Sequence, residues 1–255
     1  MKVVVLSSGS KGNSTFIKTE NTKILIDLGV TKSYIEEKLK EVKEDPKDID
    51  AILITHTHVD HIQGLKTFLK KYNTKIYVNE QLKSLLVEYG IDADYVIYDN
   101  AFKIKDINIE IFKTSHDVPG SVGFIIKAED KSLVYVTDTG YINERYFEKL
   151  KNHNLYIMES NHDVEMLMNG KYPYNIRQRI LSDKGHLSNE AAGNYLSDFI
   201  GENTKTIVLA HISDDNNTHE KAYEEVIKIL SRKNKKIPNI IIAKQKQRTD
   251  LIELW

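Results

Sequence analysis

Apolar positions along this chain switch repeatedly between two periods. Short β-branched runs mark strands, and apolar residues three or four apart mark helices. Val3–Leu6, Thr15–Lys18 and Lys23–Asp27 read as an opening meander of strands. Thr31–Val42 carries Ile35, Leu39 and Val42 at helical spacing, with Thr31 as N-cap. Ala51–Thr55 is a strand, Gly64–Tyr72 a helix, Lys75–Val78 a strand, and Asn79–Tyr89 a helix that stops at Gly90. Strands follow at Tyr95–Tyr98, Ala101–Ile104 and Ile107–Phe112, with Asp99-Asn100 and Asp106 as turns. Val122–Lys127 and Ser132–Thr137 make a hairpin around Glu129-Asp130. The second half reads as helix Asn143–Lys151, strand Leu155–Met158, helices Tyr174–Leu181 and Ser188–Ile200, strand Thr206–Ala210, helix Thr218–Ser231, and strands Ile240–Ala243 and Thr249–Leu254. There are no repeats, low-complexity tracts or long linkers. Strands mixed with helices in both halves predict an α/β (α+β) chain with two mixed sheets face to face and helices outside. A length of 255 residues fits this as a single domain over 1–255.

Several of these strands stop at ligand-type side chains. Three imidazoles and a carboxylate fall in Thr55-His56-Thr57-His58-Val59-Asp60-His61, directly after Ala51-Ile52-Leu53-Ile54. Imidazole and carboxylate are the usual ligands of Zn²⁺, Mn²⁺ and Fe²⁺. On a tight loop His56 and His58 can point at one ion, while Asp60 and His61 turn the other way toward a second. Later runs end similarly: Ile107–Phe112 leads to His116-Asp117, Leu133–Val136 to Asp138 and a turn at Gly140, and Thr206–Ala210 to His211.

The H-x-H-x-D-H segment and the later strand-end residues resemble the metallo-β-lactamase fold, a superfamily of mostly two-metal hydrolases. Leu6–Ser14, with its Ser7-Ser8-Gly9-Ser10-Lys11-Gly12-Asn13 loop, Glu159-Ser160-Asn161-His162-Asp163 and Gly185-His186-Leu187-Ser188 are similar to its YycJ/WalJ branch, related to RNase Z and RNase J. The resemblance implies a four-layer αββα sandwich with the metal site where strand ends of both sheets converge. It implies two divalent ions, Zn or Mn, with Fe also accommodated. His56, His58 and His116 would hold the first; Asp60, His61 and His211 the second; Asp138 would bridge them. It further implies a DNA-directed phosphodiesterase, an exonuclease, with His186 as general acid positioned by Glu159.

The chemistry has a physical reason. Neutral water attacks a phosphodiester poorly, but water between two cations about 3.5–4 Å apart loses a proton near neutral pH and becomes a hydroxide nucleophile. The same ions neutralise charge on the phosphoryl oxygen. Asp60 could serve both as ligand and as orienter of the nucleophile. Imidazole suits proton donation to the leaving oxygen, although His186 could instead cap the helix beginning near Ser188.

Composition sharpens this in a few respects. No cysteine is present, so any metal rests on N and O ligands and no disulfide forms. No apolar stretch approaches the roughly 20 residues of a membrane span, and Met1–Leu6 reads as a strand rather than a signal segment. A cytoplasmic location without membrane partners is therefore expected; oligomeric state is left open. Net charge is −1, so nucleic-acid binding would rest on local groups. Candidate substrate contacts are Ser10, Asn13, Asn161, His162, Arg177 and Arg179. Lys11, Lys184 and the C-terminal clusters Arg232-Lys233, Lys235-Lys236 and Lys244/Lys246/Arg248 are weaker candidates that also suit solvated faces. The Ser/Gly loop could cradle phosphate or be a flexible turn. His153, in the polar turn Lys151–Asn154, is expected on the surface, as is His219 at a helix start. A small-molecule thioesterase or lactonase of the same fold, and a non-catalytic binding module, are the competing readings. No G-x-S-x-G elbow supports a serine hydrolase.

Overall fold

The computed structural model describes residues 1–254. Two seven-stranded sheets pack face to face. The first contains β1 (Lys2–Ser7), β2 (Ser14–Lys18), β3 (Lys23–Ile26), β4 (Ala51–Leu53), β5 (Lys75–Val78), β6 (Tyr95–Ile97) and β14 (Ile252–Glu253), in the order β14-β1-β2-β3-β4-β5-β6. The second contains β7 (Ala101–Ile104), β8 (Ile107–Lys113), β9 (Val122–Ala128), β10 (Lys131–Val136), β11 (Leu155–Glu159), β12 (Thr206–Ala210) and β13 (Asn239–Ile242), in the order β13-β12-β11-β10-β9-β8-β7. Each sheet is antiparallel over one part, made of hairpins, and parallel where helices make the crossovers.

Alternation within single strands explains the four layers. Val3 and Val5 face the other sheet, in a core shared with Ile17, Ile26, Phe124 and Leu133. Val4 and Leu6 point outward, against α1 (Lys32–Glu41), α3 (Leu65–Tyr72) and α4 (Glu80–Glu88) through Ile35, Leu39, Phe68 and Leu82. On the far side Val134, Tyr156 and Met158 meet α8 (Asn189–Phe199) and α9 (His219–Arg232) through Leu196, Phe199, Val226 and Leu230. A strand whose two faces are both apolar needs cover on both, and each fully buried aliphatic or aromatic side chain contributes roughly 1.5–3 kcal/mol.

The expected strands and main helices are present with shifted ends. The strand expected at Ala51–Thr55 stops at Leu53, because Thr55 turns to bond Asp27 through both its N–H and its hydroxyl. The helix expected at Asn143–Lys151 divides into a 3₁₀ turn (Glu144–Tyr146) and α5 (Phe147–Leu150). The strand expected at Thr249–Leu254 shrinks to β14. Two short helices had no sequence signal: α2 (Val59–Ile62), inside the metal motif, and α6 (Val164–Asn169). Between α6 and α8 lies α7 (Tyr174–Leu181), none of whose residues is buried. His153 is buried rather than exposed: its ring nitrogens contact Ser132 Oγ at 2.9 Å and the Lys149 carbonyl at 2.8 Å. His219 is half-buried as the first residue of α9.

Candidate metal centre

The C-terminal ends of β1, β3, β4, β8, β10, β11 and β12 meet at one edge of the sandwich. The loops leaving them carry nearly every expected site residue. Three leave their strands through left-handed backbone at non-glycine residues: Asp27 (φ 58°), Asp138 (φ 56°) and His211 (φ 52°). Such conformations cost on the order of 1–3 kcal/mol each and collect where function demands a particular side-chain direction.

Two donor clusters form there. In the first, His58 Nδ1 lies 3.1 Å from His56 Nε2 and 3.2 Å from His116 Nε2. A tetrahedral ion with bonds of about 2.0–2.1 Å places its ligand nitrogens about 3.3 Å apart. In the second, Asp60 Oδ2 lies 3.4 Å from His61 Nε2 and 3.3 Å from His211 Nε2. Asp138 stands between: Oδ1 is 3.9 Å from both His56 Nε2 and His116 Nε2, and Oδ2 is 3.2 Å from His61 Nε2. Asp138 Oδ2 is buried and has no hydrogen-bond partner among the described residues, a costly state for a carboxylate oxygen unless a cation faces it. The residues present therefore fit divalent metal ions.

The back nitrogens of the imidazoles explain which atoms face inward. Thr55 Oγ donates its single proton to Asp27 (2.7 Å), so at 3.1 Å it accepts from His56 Nδ1. His61 Nδ1 donates to Asp27 (2.7 Å), His116 Nδ1 to the Gly185 carbonyl (3.2 Å), and His211 Nδ1 to Glu159 (2.8 Å). Each Nε2 is thereby left to the cluster, the usual consequence of such outer partners. Neither Asp27 nor Gly185 was legible as a partner, since each contact joins distant loops.

Electrostatics favour a cation. Burial lowers His56 and His116 and keeps them neutral. Burial alone would raise Asp60, but His61 and His211 outweigh it and hold this carboxyl far below its ordinary range. Burial likewise opposes charge on His61 and His211, yet Asp138 and its neighbouring carboxylates raise the first well above its ordinary value and the second to about 10. A pocket of four carboxylates (Asp27, Asp60, Asp138, Glu159) is arranged to hold positive charge.

The centre floors an open cleft of about 390 Å³. His186 lines it, with Nδ1 on Glu159 Oε1 at 2.7 Å, which leaves Nε2 for the cleft. The same Oε1 also accepts from His211. Burial would raise Glu159, but His186 and His211 lower it to about 2, so it is an anion at neutral pH. The apolar part of the lining is Val59 from the metal loop, Tyr172, and Ile176 and Ile180 of α7.

The expected substrate contacts separate into two groups. Ser10, Asn161 and Arg179 line the cleft. Asn13 does not: it is buried, and its amide donates to Asp60 Oδ2 (3.2 Å) and Gly9 O (3.1 Å), so it braces a cluster residue. Arg177 turns away to the Met168 carbonyl. His162 is buried behind Asn161, outside both clusters, and burial pushes it down to about 4. In the Ser/Gly loop Ser7 and Ser8 are buried and engaged, with Ser8 Oγ accepting the His211 N–H at 2.7 Å, while Ser10 is exposed at the cleft. Sequence reasoning also passed over Tyr172, whose hydroxyl donates to Asp215 at 2.9 Å; no pattern signals it.

A beta-lactamase superfamily domain matches residues 22–212. The chain belongs to the metallo-β-lactamase superfamily and, within it, to the YycJ/WalJ group. It is 38% identical over 234 residues to exodeoxyribonuclease YycJ of Bacillus anthracis, covering 90% of this chain and 89% of that one. It is 38% identical over 238 residues to exodeoxyribonuclease WalJ of Streptococcus pneumoniae, covering 91% and 88%. The crystal structure of the metallo-β-lactamase fold protein YhfI from Bacillus subtilis superposes with a TM-score of 0.72 at 18% identity, over 97% of this chain and 98% of that one. Human tRNase Z, short form, superposes at 0.68 and 17% identity, over 100% and 99%. The protein is thus a hydrolase of this superfamily with a His/Asp cluster suited to divalent metal. No described helix is long and apolar enough to cross a membrane.

Proposed function

We propose that this protein is a dinuclear metal-dependent phosphodiesterase acting on DNA as an exonuclease. The observation that carries the reading is the pair of donor clusters joined by Asp138, with the His186–Glu159 pair beside them on the cleft. Two relatives of near-equal length are named exodeoxyribonucleases, which supports DNA as the substrate class. When bound, two divalent ions, Zn²⁺ or Mn²⁺, supply an activated water and neutralise charge on the phosphoryl group.

The chain's own residues do the rest. His56, His58 and His116 would hold one ion and Asp60, His61 and His211 the other, with Asp138 offering a carboxylate oxygen toward each. Asp60, at the cleft and anionic, orients the attacking water. Glu159 fixes the proton of His186 on Nδ1 in the neutral ring; when the ring is protonated, Nε2 carries the second proton and delivers it to the departing sugar oxygen. The apolar lining of Val59, Tyr172, Ile176 and Ile180 supports a sugar or base next to the scissile phosphate.

The test is a metal-reconstituted assay of end-labelled duplex and single-stranded DNA and RNA beside a His58→Ala control. Expected are mononucleotides or short products from DNA, with the control inactive. No cleavage with any metal, or equal turnover by the control, removes this reading.

A further inference from the structure

Asp117 is a carboxylate beside the first donor cluster that neither cluster uses. It directly follows His116. Its Oδ2 accepts from Arg179 Nε at 2.6 Å and Nη2 at 2.5 Å. Its Oδ1 lies 3.3 Å from His58 Nε2 and 3.4 Å from His116 Nε2. Only one of these nitrogens carries a proton in a neutral ring. His116 keeps its proton on Nδ1, because that atom faces the Gly185 carbonyl, which can only accept. His58 is the reverse case. Its Nδ1 is the atom 3.1 and 3.2 Å from the other two ligand nitrogens, so the lone pair is there and the proton is on Nε2, the nitrogen in ion-pair contact with Asp117 Oδ1 at 3.3 Å.

The other four cluster histidines rest their back nitrogens on Thr55, Asp27, Gly185 and Glu159. His58 has no such buried partner among the described residues, and its side chain is 33% exposed. We propose that Asp117 is the positioning residue that holds His58 in its metal-binding tautomer and orientation, and that Arg179 serves to hold Asp117 rather than to clamp a substrate phosphate. Both guanidinium contacts go to Oδ2, which leaves Oδ1 for the imidazole. Arg179 comes from α7, so the pair also ties that otherwise unburied helix to the loop after β8 that carries His116. The inference rests on the reading of the centre as a metal site.

The experiment is metal titration of the demetallated full chain, in competition with a chromophoric chelator, using Zn²⁺ and Mn²⁺. Loss of an outer partner typically weakens metal affinity about 10–100-fold. Asp117→Ala is expected to weaken one of the two ions by that factor with an unchanged far-UV spectrum. Asp117→Asn, which keeps a carbonyl acceptor, recovers part of the loss. Arg179→Ala weakens the same ion by a smaller factor. Wild-type affinity for both ions in Asp117→Ala overturns the proposal. Unchanged metal affinity in Arg179→Ala with a raised KM for end-labelled DNA overturns its second half and restores Arg179 as a phosphate contact. Failure of the metal reading itself looks different: the wild-type chain takes up no ion, and both fall together.

Discussion

At the scale of single residues, Glu159 has two tasks. One oxygen receives protons from both His186, beside the cleft, and His211, in the second donor cluster. Substitutions should separate these. His186→Ala is expected to lower kcat about 10²–10⁴-fold, the usual share of general acid catalysis, with bound metal unchanged. Glu159→Gln should lower kcat and metal affinity together, because it disturbs His211 as well; parallel measurement of turnover and metal content checks this, and equal metal content in both variants would sink the shared role. His153 supplies a pH test far from the centre. Its folded-state pKa is lowered, chiefly by burial. The unfolded chain therefore binds a proton near pH 6.5 that the folded chain refuses, and stability falls as pH drops below that value. Thermal melts from pH 7.5 to 5 should show this decline, and His153→Gln should flatten it by up to about 1.4 kcal/mol per pH unit. Identical slopes would assign the decline to other groups. Its burial was illegible because Lys151–Asn154 looks like any polar turn; the ring is engaged by Ser132, Lys149 and Tyr156 once the chain has folded.

At the scale of elements, the metal loop is held by backbone as much as by side chains. Asn13 N–H donates to the Asp60 carbonyl at 2.8 Å, Leu28 N–H to the His61 carbonyl at 2.8 Å, and Gly29 N–H to the Asn13 carbonyl at 2.9 Å. A Cβ on Gly29 would stand 1.6 Å from the Asp60 carbonyl oxygen. Backbone cannot yield as a side-chain tip can, so Gly29→Ala must push α2 outward and carry Asp60 and His61 with it. Overpacking of this kind costs about 1–3 kcal/mol or more. A lowered melting temperature together with weaker metal binding is expected, and a variant that melts lower but binds metal normally would show that the loop moves as a rigid piece. Strand ends were the most legible part of this molecule, because apolar runs stop visibly at His116, Asp138 and His211. The short helices α2 and α6 were not, since four to six residues are too few to show a helical period. Asn13 was read as facing substrate for a related reason: a polar loop residue looks free until the chain that covers it, here Asp60, is in place.

At the scale of the whole molecule, the donor set is distributed across the join between the sheets. His56, His58, Asp60 and His61 follow β4 of the first sheet, whereas His116, Asp138 and His211 follow β8, β10 and β12 of the second. Each cluster therefore draws ligands from both. Without a metal ion, protonated His61 and His211 are what offsets the clustered carboxylates across that join, and the buried Asp138 Oδ2 stands 3.2 Å from His61 Nε2 without a hydrogen bond among the described residues. An ion in either cluster would fasten the sheets together at the edge where the cleft opens. Ligand that binds only the folded state at 100 times its Kd adds about 2.7 kcal/mol, and for a chain of this size that is roughly 5–10 °C in Tm. Removing metal with excess chelator should lower Tm by about that much, and restoring Zn²⁺ or Mn²⁺ should reverse it. His58→Ala and His211→Ala, which strike different clusters, should each retain part of the shift, whereas Asp138→Asn, which touches both, should retain least. A melting curve indifferent to chelator would mean that the hydrophobic seam of Val3, Val5, Phe124 and Leu133 alone holds the sheets together at that edge, and that the clusters do not act as a clasp.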